Sequence, residues 1–289
     1  MRAAKHLAHL LSSLAVTVVV GGFLTAALVR LSPGFGVDEH ALDPARDAAA
    51  LRALQAARPE QGNFLAYSVD RIAAMFRGDL GISRNWNRPV AGLLRERWPV
   101  TAQLMGVGIL GGWALALAFA LPSAIYPTRI WNAIAGGLSG LLLCVPSAAL
   151  ALLIFVAAGP VRAVMALAVF PRIFQYLQNL LLHAAAQPHV MAARARGIGP
   201  AHILLWHIVP VAAPQVLALA GVSVSMAFGA AVAVEVICDF PGIGQLAWKA
   251  ALARDLPLLV TLTMLVTLAT QMSNALADML AAKRSEVRA

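Results

Sequence analysis

Residues 191–210 read "MAARARGIGPAHILLWHIVP". Arg194 and Arg196 make the stretch basic, Gly197 and Gly199-Pro200 break it, Pro188 stands just before it and Pro210 closes it. That punctuation reads as helix, turn, helix. The whole connection, 184–210, has 27 residues, where about 4 to 6 suffice to join most neighbouring elements. Small Ala192 and Ala193 let a second backbone come close, and the arginines offer bidentate grips. A docking element explains length and chemistry together, and a solvated basic loop explains the charge alone.

The flanks of this stretch set the class of molecule. Of 289 residues, 60% are hydrophobic and 12% charged, with mean hydropathy +0.77. Ordinary soluble domains carry about 25% charge, so the composition is that of a membrane protein. The formal net charge of +9 does not call for nucleic acid, because membrane proteins gather Lys and Arg on cytoplasmic loops and no basic stripe with interleaved aromatics is present. Cys144 and Cys238 lie far apart beside apolar runs, which argues neither a disulfide framework nor a metal quartet.

Crossing the hydrocarbon core takes about 20 apolar residues. Five uncharged windows qualify: Leu7–Val29, Val100–Tyr126, Ile130–Ala157, Val211–Val234 and Leu256–Ala277. The first is too long for the 7 to 15 apolar residues of a signal peptide core and reads as a retained helix. A sixth, Ala163–His183, carries Arg172 near its middle, a charge its neighbours must shelter or the span is displaced. Six spans keep the loops at Arg129 and Arg194 on one face. Both termini then lie inside with Arg2, Lys5, Arg129, Arg194, Arg196, Lys283, Arg284 and Arg288, against Arg162, Lys249 and Arg254 in the short outer loops.

The expected fold is therefore all-α, a single transmembrane domain over 1–289. It has a first span to residue 31, an outer segment at 32–99 and a five-span core at 100–289 holding the cytoplasmic loop 184–210. In the outer segment Leu65, Val69, Ile72 and Phe76 recur at helical spacing, with Asn63 to cap and Gly78 to stop. Ala41–Ala57 is alanine-rich, and no internal repeat appears.

Further along, Gly221, Ser225 and Gly229 make a small-residue face on the fifth span, for packing inside the chain or against a partner. Glu235 ends that span, as a satisfied surface acid or as part of an outer gate. In "DFPGIG", Pro241 and Gly242 fit the central positions of a type II turn, which feeds a short helix over Gln245–Ala253. Asp255 follows to cap the last span, and Asp239 opens the turn. His202 and His207 are five apart, off the spacing of a helical metal pair. No catalytic triad or paired carboxylates suggest an enzyme, and no cofactor is implied.

The loop residues are similar to a known family, the inner-membrane permease subunits of binding-protein-dependent ABC transporters in the dipeptide, oligopeptide and nickel branch. That family carries E-A-A, three residues, Gly, nine residues, I-x-L-P. Ala192, Ala193, Gly197 and Pro210 match, while Met191, His207 and Val209 replace the acid, the Ile and the Leu. "ARARG" with His207 also resembles the branch's own version. The likeness continues in order through "GDLGIS" (78–83), "RPVAGLLRERWPVTAQL" (88–104), "VPS" (145–147), "VEVICDFPGIGQL" (234–246) and "ARDLPLL" (253–259).

The resemblance implies half of a type I importer, multi-pass in a bacterial inner membrane. Its partners would be a second homologous permease, two cytoplasmic ATPases docked on the loops, and an extracytoplasmic binding protein. Peptide or nickel-type cargo would pass between the permeases, with Glu235, the 239–242 turn and Asp255 near an outer gate. The chain has no G-x-x-x-x-G-K-[ST] phosphate loop, so hydrolysis would fall to the separate ATPases. Gly197 would be the hinge of the coupling loop, where a side chain would obstruct the turn. The chain departs from the family at Met191, in the short "VAAGPVRAV" (156–164) and in its C-terminal "ADMLAAKRSEVRA". Other readings are an autonomous channel or secondary transporter, and a permease-like scaffold that has lost coupling.

Overall fold

Long helices dominate because runs of Leu, Ala and Val bury their own backbone polar groups only when coiled. The computed structural model describes residues 2–31, 70, 73–75, 77–126, 128–157 and 159–286. In chain order these give α1 (Arg2–Leu31), β1 (Ile82–Ser83), β2 (Arg88–Pro89), α2 (Val90–Ile125), α3 (Arg129–Cys144), α4 (Ser147–Val156), α5 (Val161–Ala185), α6 (Pro188–Ala195) and α7 (Pro200–Ile203). A π-helical turn (Leu204–Ile208), α8 (Val209–Ile237), α9 (Ile243–Leu252) and α10 (Leu256–Glu286) follow. They group into two units, Met1–Glu96 with Leu246–Leu268 and Arg97–Gln245 with Ala269–Ala289.

In the first unit, α1 packs on the start of α10 through Val18, Ala26, Leu256, Val260 and Met264, with Met75 alongside. Gly22 makes room for Met264, which would stand 2.8 Å from a Cβ there. The strands pair antiparallel with Ile82 opposite Pro89 and Ser83 opposite Arg88, and Asn87 closes their turn at φ 48°. Arg88 also pairs with Glu96. The helix expected around Leu65, Val69, Ile72 and Phe76, with Asn63 as its cap, lies outside the described residues. Gly78 is described: at φ 88°, its N–H donates to Met75 O (2.9 Å) and Asp79 N–H to Ala74 O (3.0 Å). That pattern ends a helical turn.

The second unit is built around α5, which buries Val164, Met165, Val169, Phe170, Ile173, Phe174 and Leu177. α3, α4 and α8 all pack against it. Gly108, Gly111 and Gly112 let α2 approach the same helix at Met165, Ala166 and Phe170. Phe119 of α2 stacks on Trp131 of α3 at 5.8 Å and sits 5.7 Å from Phe170. Trp113 Nε1 donates to Ser223 Oγ of α8 at 3.1 Å.

Three expectations need correction. The window Ile130–Ala157 is not one helix: α3 and α4 bend by 93° at Val145-Pro146. Proline has no N–H for the ladder and drives the residue before it out of helical geometry, and Val145 is extended at φ −86°, ψ 117°. α2 begins at Val90, ten residues ahead of the expected start at Val100, because the helix formers of "AGLLRER" carry it through Pro99. Arg172 is exposed on α5, so of the two expected outcomes, shelter or a displaced span, shelter by neighbours within this chain is not met. Among the described residues three helices are long and apolar enough to cross a membrane, Val90–Ile125, Pro200–Ile237 and Leu256–Met279, and the bent pair makes a fourth if taken as one span.

Candidate functional site

Two constructions lie at opposite ends of α8. At its N-terminal end is the element Pro188–Ile208. Pro188 occupies the first turn of α6, where its missing N–H has no helical partner to lose. The helix stops at Gly197, which adopts φ 72°. Gly197 N–H donates to Arg194 O at 3.0 Å and Ile198 N–H to Ala193 O at 3.3 Å, the paired bonds of a Schellman motif. A Cβ on Gly197 would meet nothing within 4 Å. The need for glycine is thus in the backbone angle and not in crowding, which corrects the obstruction expected from the sequence.

Pro200 then opens α7, which passes without interruption through the π-turn into α8. Val209 N–H donates to Leu204 O, five residues back. Pro210 therefore does not close the loop helix, as its position in the sequence suggests, but sits inside the continuous rod. The widened turn shifts the hydrogen-bond register just where proline brings no N–H and a bulky ring. The His207 carbonyl in this turn lies 3.5 Å from His189 Nε2 of α6.

Ala193 is buried, and Met191, Ala192, Arg194 and Arg196 are exposed on α6 and its cap. Leu205 and Trp206 are 61% and 69% exposed. The element thus exposes both apolar side chains, Met191, Leu205 and Trp206, and the guanidinium groups of Arg194 and Arg196. From Arg97 to Val234 the sequence contains no Asp or Glu. Among the described residues no group of three or more His, Cys, Asp or Glu is arranged to hold a metal ion.

At the other end of α8, Glu235 is fully buried. Its Oε1 accepts the Thr101 hydroxyl of α2 at 2.7 Å, and its Oε2 accepts Gly244 N–H at 2.6 Å and Gln245 N–H at 3.2 Å. Thr101 Oγ1 accepts in turn from Ile243 N–H at 2.8 Å. Backbone can come this near because Gly242 and Gly244 lack side chains: a Cβ on either would collide with Glu235 or Val232. Asp239 takes φ 49° and accepts from Gln245 Nε2 at 2.5 Å.

The type II turn does not form. Gly242 stays out of the left-handed region, its N–H donates to Phe240 O at 2.7 Å across Pro241, and Ile243 N–H is committed to Thr101. The short helix accordingly starts at Ile243, two residues ahead of the expected Gln245. Asp255 makes its contacts within the first unit. Oδ1 accepts Leu258 N–H at 3.2 Å, capping α10, and Oδ2 accepts Ser83 Oγ at 2.5 Å and Asn85 N–H at 3.1 Å.

The small-residue face of α8 divides. Gly221 lies so close to α10 that a Cβ would overlap Ala277, and Ser225 Oγ is 3.5 Å from Asn274 Nδ2. Gly229 faces open space. Thr101, Gly244 and His189 were not singled out by sequence, and Gln245 and Ser83 entered only as the start of an expected helix and the end of a matching segment. The only sign for Thr101 was a hydroxyl inside an apolar run.

Residues 108–285 match the family model for the binding-protein-dependent transport system inner membrane component. A Brucella abortus (strain 2308) protein named as a peptide transport system permease is 29% identical over 273 residues, covering 83% of this chain and 84% of its own. The dipeptide transport system permease protein of Lactococcus lactis subsp. cremoris (strain MG1363) is 22% identical over 297 residues, 96% of this chain and 97% of its own. The oligopeptide transport system permease protein of Bacillus subtilis (strain 168) is 28% identical over 106 residues, 37% of this chain and 34% of its own. The chain belongs to the family of binding-protein-dependent transport system inner membrane components.

Proposed function

We propose that the chain is one permease half of an ATP-driven peptide importer, coupled to a separate ATPase through Pro188–Ile208. The observation that carries this reading is the uninterrupted helix from Pro200 to Ile237, 38 residues and about 57 Å at 1.5 Å per residue. It exceeds the hydrocarbon core of about 30 Å, so its two ends reach opposite faces of a bilayer. The loop element begins one end and Glu235 lies two residues from the other. A push on the loop becomes displacement of a stiff rod, and ATPase closure can then bias the far end between two arrangements.

The rest of the reading is supported by the charge distribution and by the family to which the chain belongs. The loop and both termini face the cytoplasm, as the arginine and lysine distribution favours. Six crossings form one transmembrane domain in the inner membrane, with α5 and its exposed Arg172 turned to a polar path or partner. A second permease completes the pathway, two ATPases dock on the loops, and an extracytoplasmic binding protein delivers cargo at the Glu235 end. The names of the relatives favour peptide over nickel as cargo.

The test is co-purification. The protein made with a second permease and ATPases is expected to retain an ATPase, with Gly197→Val lowering both retention and uptake of labelled dipeptide. Failure of the wild type to retain any ATPase, with uptake indifferent to Gly197→Val, overturns the reading.

A further inference from the structure

Under the loop element the second unit holds a cavity of about 290 Å³, near the lower end of ligand pockets at about 300–1,000 Å³. Ala124 and Ile125, the end of α2, form one wall. Ile198, Ile203 and Ile208 line the apolar side, and Pro200 and Arg194 complete it. Ile203 and Ile208 are 3% and 1% exposed and make the floor, whereas Arg194 and Pro200 stand at the exposed rim. A hollow with an isoleucine wall on one side and a guanidinium at its mouth is chemically two-faced: it suits a molecule with a hydrocarbon body and an anionic head.

The surroundings say which such molecule. Tyr126, directly after Ile125, is 63% exposed, and Trp206 in the π-turn is 69% exposed. Exposed Tyr and Trp beside basic groups mark the headgroup level of a membrane protein. Arg129 opens α3 four residues after Ile125, adding positive charge to this end of the unit. No acid occurs in the sequence from Arg97 to Val234, and Glu235 and Asp239 lie at the far end of α8. Basic pockets between membrane helices take anionic lipid headgroups.

We propose that this cavity is a site for one anionic phospholipid, whose phosphate pairs with Arg194 and whose glycerol and upper acyl carbons lie on Ile198, Ile203 and Ile208. Such a lipid would hold the C-terminal end of α2 against α6 and α7 and make the loop element sensitive to membrane charge. The site requires the membrane setting but not the coupling role.

The experiment is native mass spectrometry of the full chain released from mixed micelles holding phosphatidylglycerol and phosphatidylcholine in equal amounts. Wild type is expected to retain phosphatidylglycerol about fivefold over phosphatidylcholine, the preference one arginine supplies at a membrane surface. Arg194→Gln, and Ile198→Trp as a cavity-filling variant, should bring the two lipids to parity, while Arg196→Gln should not. Equal retention by wild type overturns the proposal, as does unchanged preference in both Arg194→Gln and Ile198→Trp. Displacement by millimolar glycerol 3-phosphate assigns the cavity to free anions and also overturns it. Loss of ATPase retention in Arg194→Gln with lipid preference intact assigns Arg194 to the protein partner, with the same consequence. Selective retention by a chain that captures no ATPase leaves this site standing and removes only the coupling role.

Discussion

Thr101 donates to Glu235 Oε1 at 2.7 Å while accepting Ile243 N–H at 2.8 Å. One hydroxyl thereby joins α2, α8 and the chain that leaves α8. Thr101→Val keeps the shape and removes both bonds, leaving a buried amide and a buried carboxylate oxygen short of partners. The expected loss is about 1–3 kcal/mol per unsatisfied group. Thermal unfolding of the purified protein should show Thr101→Val well below wild type and Thr101→Ser close to it; equal melting of all three would refute the account.

Gly221 and Gly229 look alike in sequence, eight residues apart on one face. Only Gly221 has α10 against it, with Ser273 O 3.0 Å from where a Cβ would stand. Gly221→Val should cost about 1–3 kcal/mol through overpacking, whereas Gly229→Ala should stay within about 0.5 kcal/mol of wild type. Melting temperatures in one detergent compare them directly, and the reverse order would show that the α8–α10 approach is misplaced.

At Gly197 the backbone is left-handed and the space around it is open. A β-branched residue there costs about 1–2 kcal/mol from backbone strain, while Asn tolerates the conformation. Gly197→Asn should therefore keep peptide uptake near wild type and Gly197→Val should not. Equal damage from both would restore crowding as the reason for glycine.

Asp255 anchors the hairpin 82–89 as well as capping α10. Asp255→Ala removes the cap, worth about 0.5–2 kcal/mol, and frees Ser83 and Asn85 together. Hydrogen exchange should speed up at 82–89 and at Leu258 in the same variant. Faster exchange at Leu258 alone would mean that the hairpin is held by other contacts.

How much of this could be read from the chain depends on whether the signal is local. Pro188, Gly197 and Pro200 each constrain their own dihedral angles, so the helix–turn–helix element was legible. Pro146 carries the same kind of signal, but a window searched only for charge passes over it. The Glu235 knot was not legible, because Thr101 lies 134 positions away and no periodicity connects them. The turn failed for a related reason. Proline followed by glycine encodes a type II turn locally, yet the amide that would close it bonds Thr101, and Asp239 takes the positive φ instead. Arg172 was read as needing shelter or displacing its span, because a linear window does not show whether a side chain is buried or exposed.

The central claim, that Pro188–Ile208 is where an ATPase takes hold, is tested most directly by photo-crosslinking from position 191. Met191 is 58% exposed on α6, so a benzophenone side chain there should form an adduct with the ATPase subunit in membranes containing the assembled transporter. The same probe at Lys249 of α9 should not. An ATPase adduct from position 249 and none from position 191 would contradict the account.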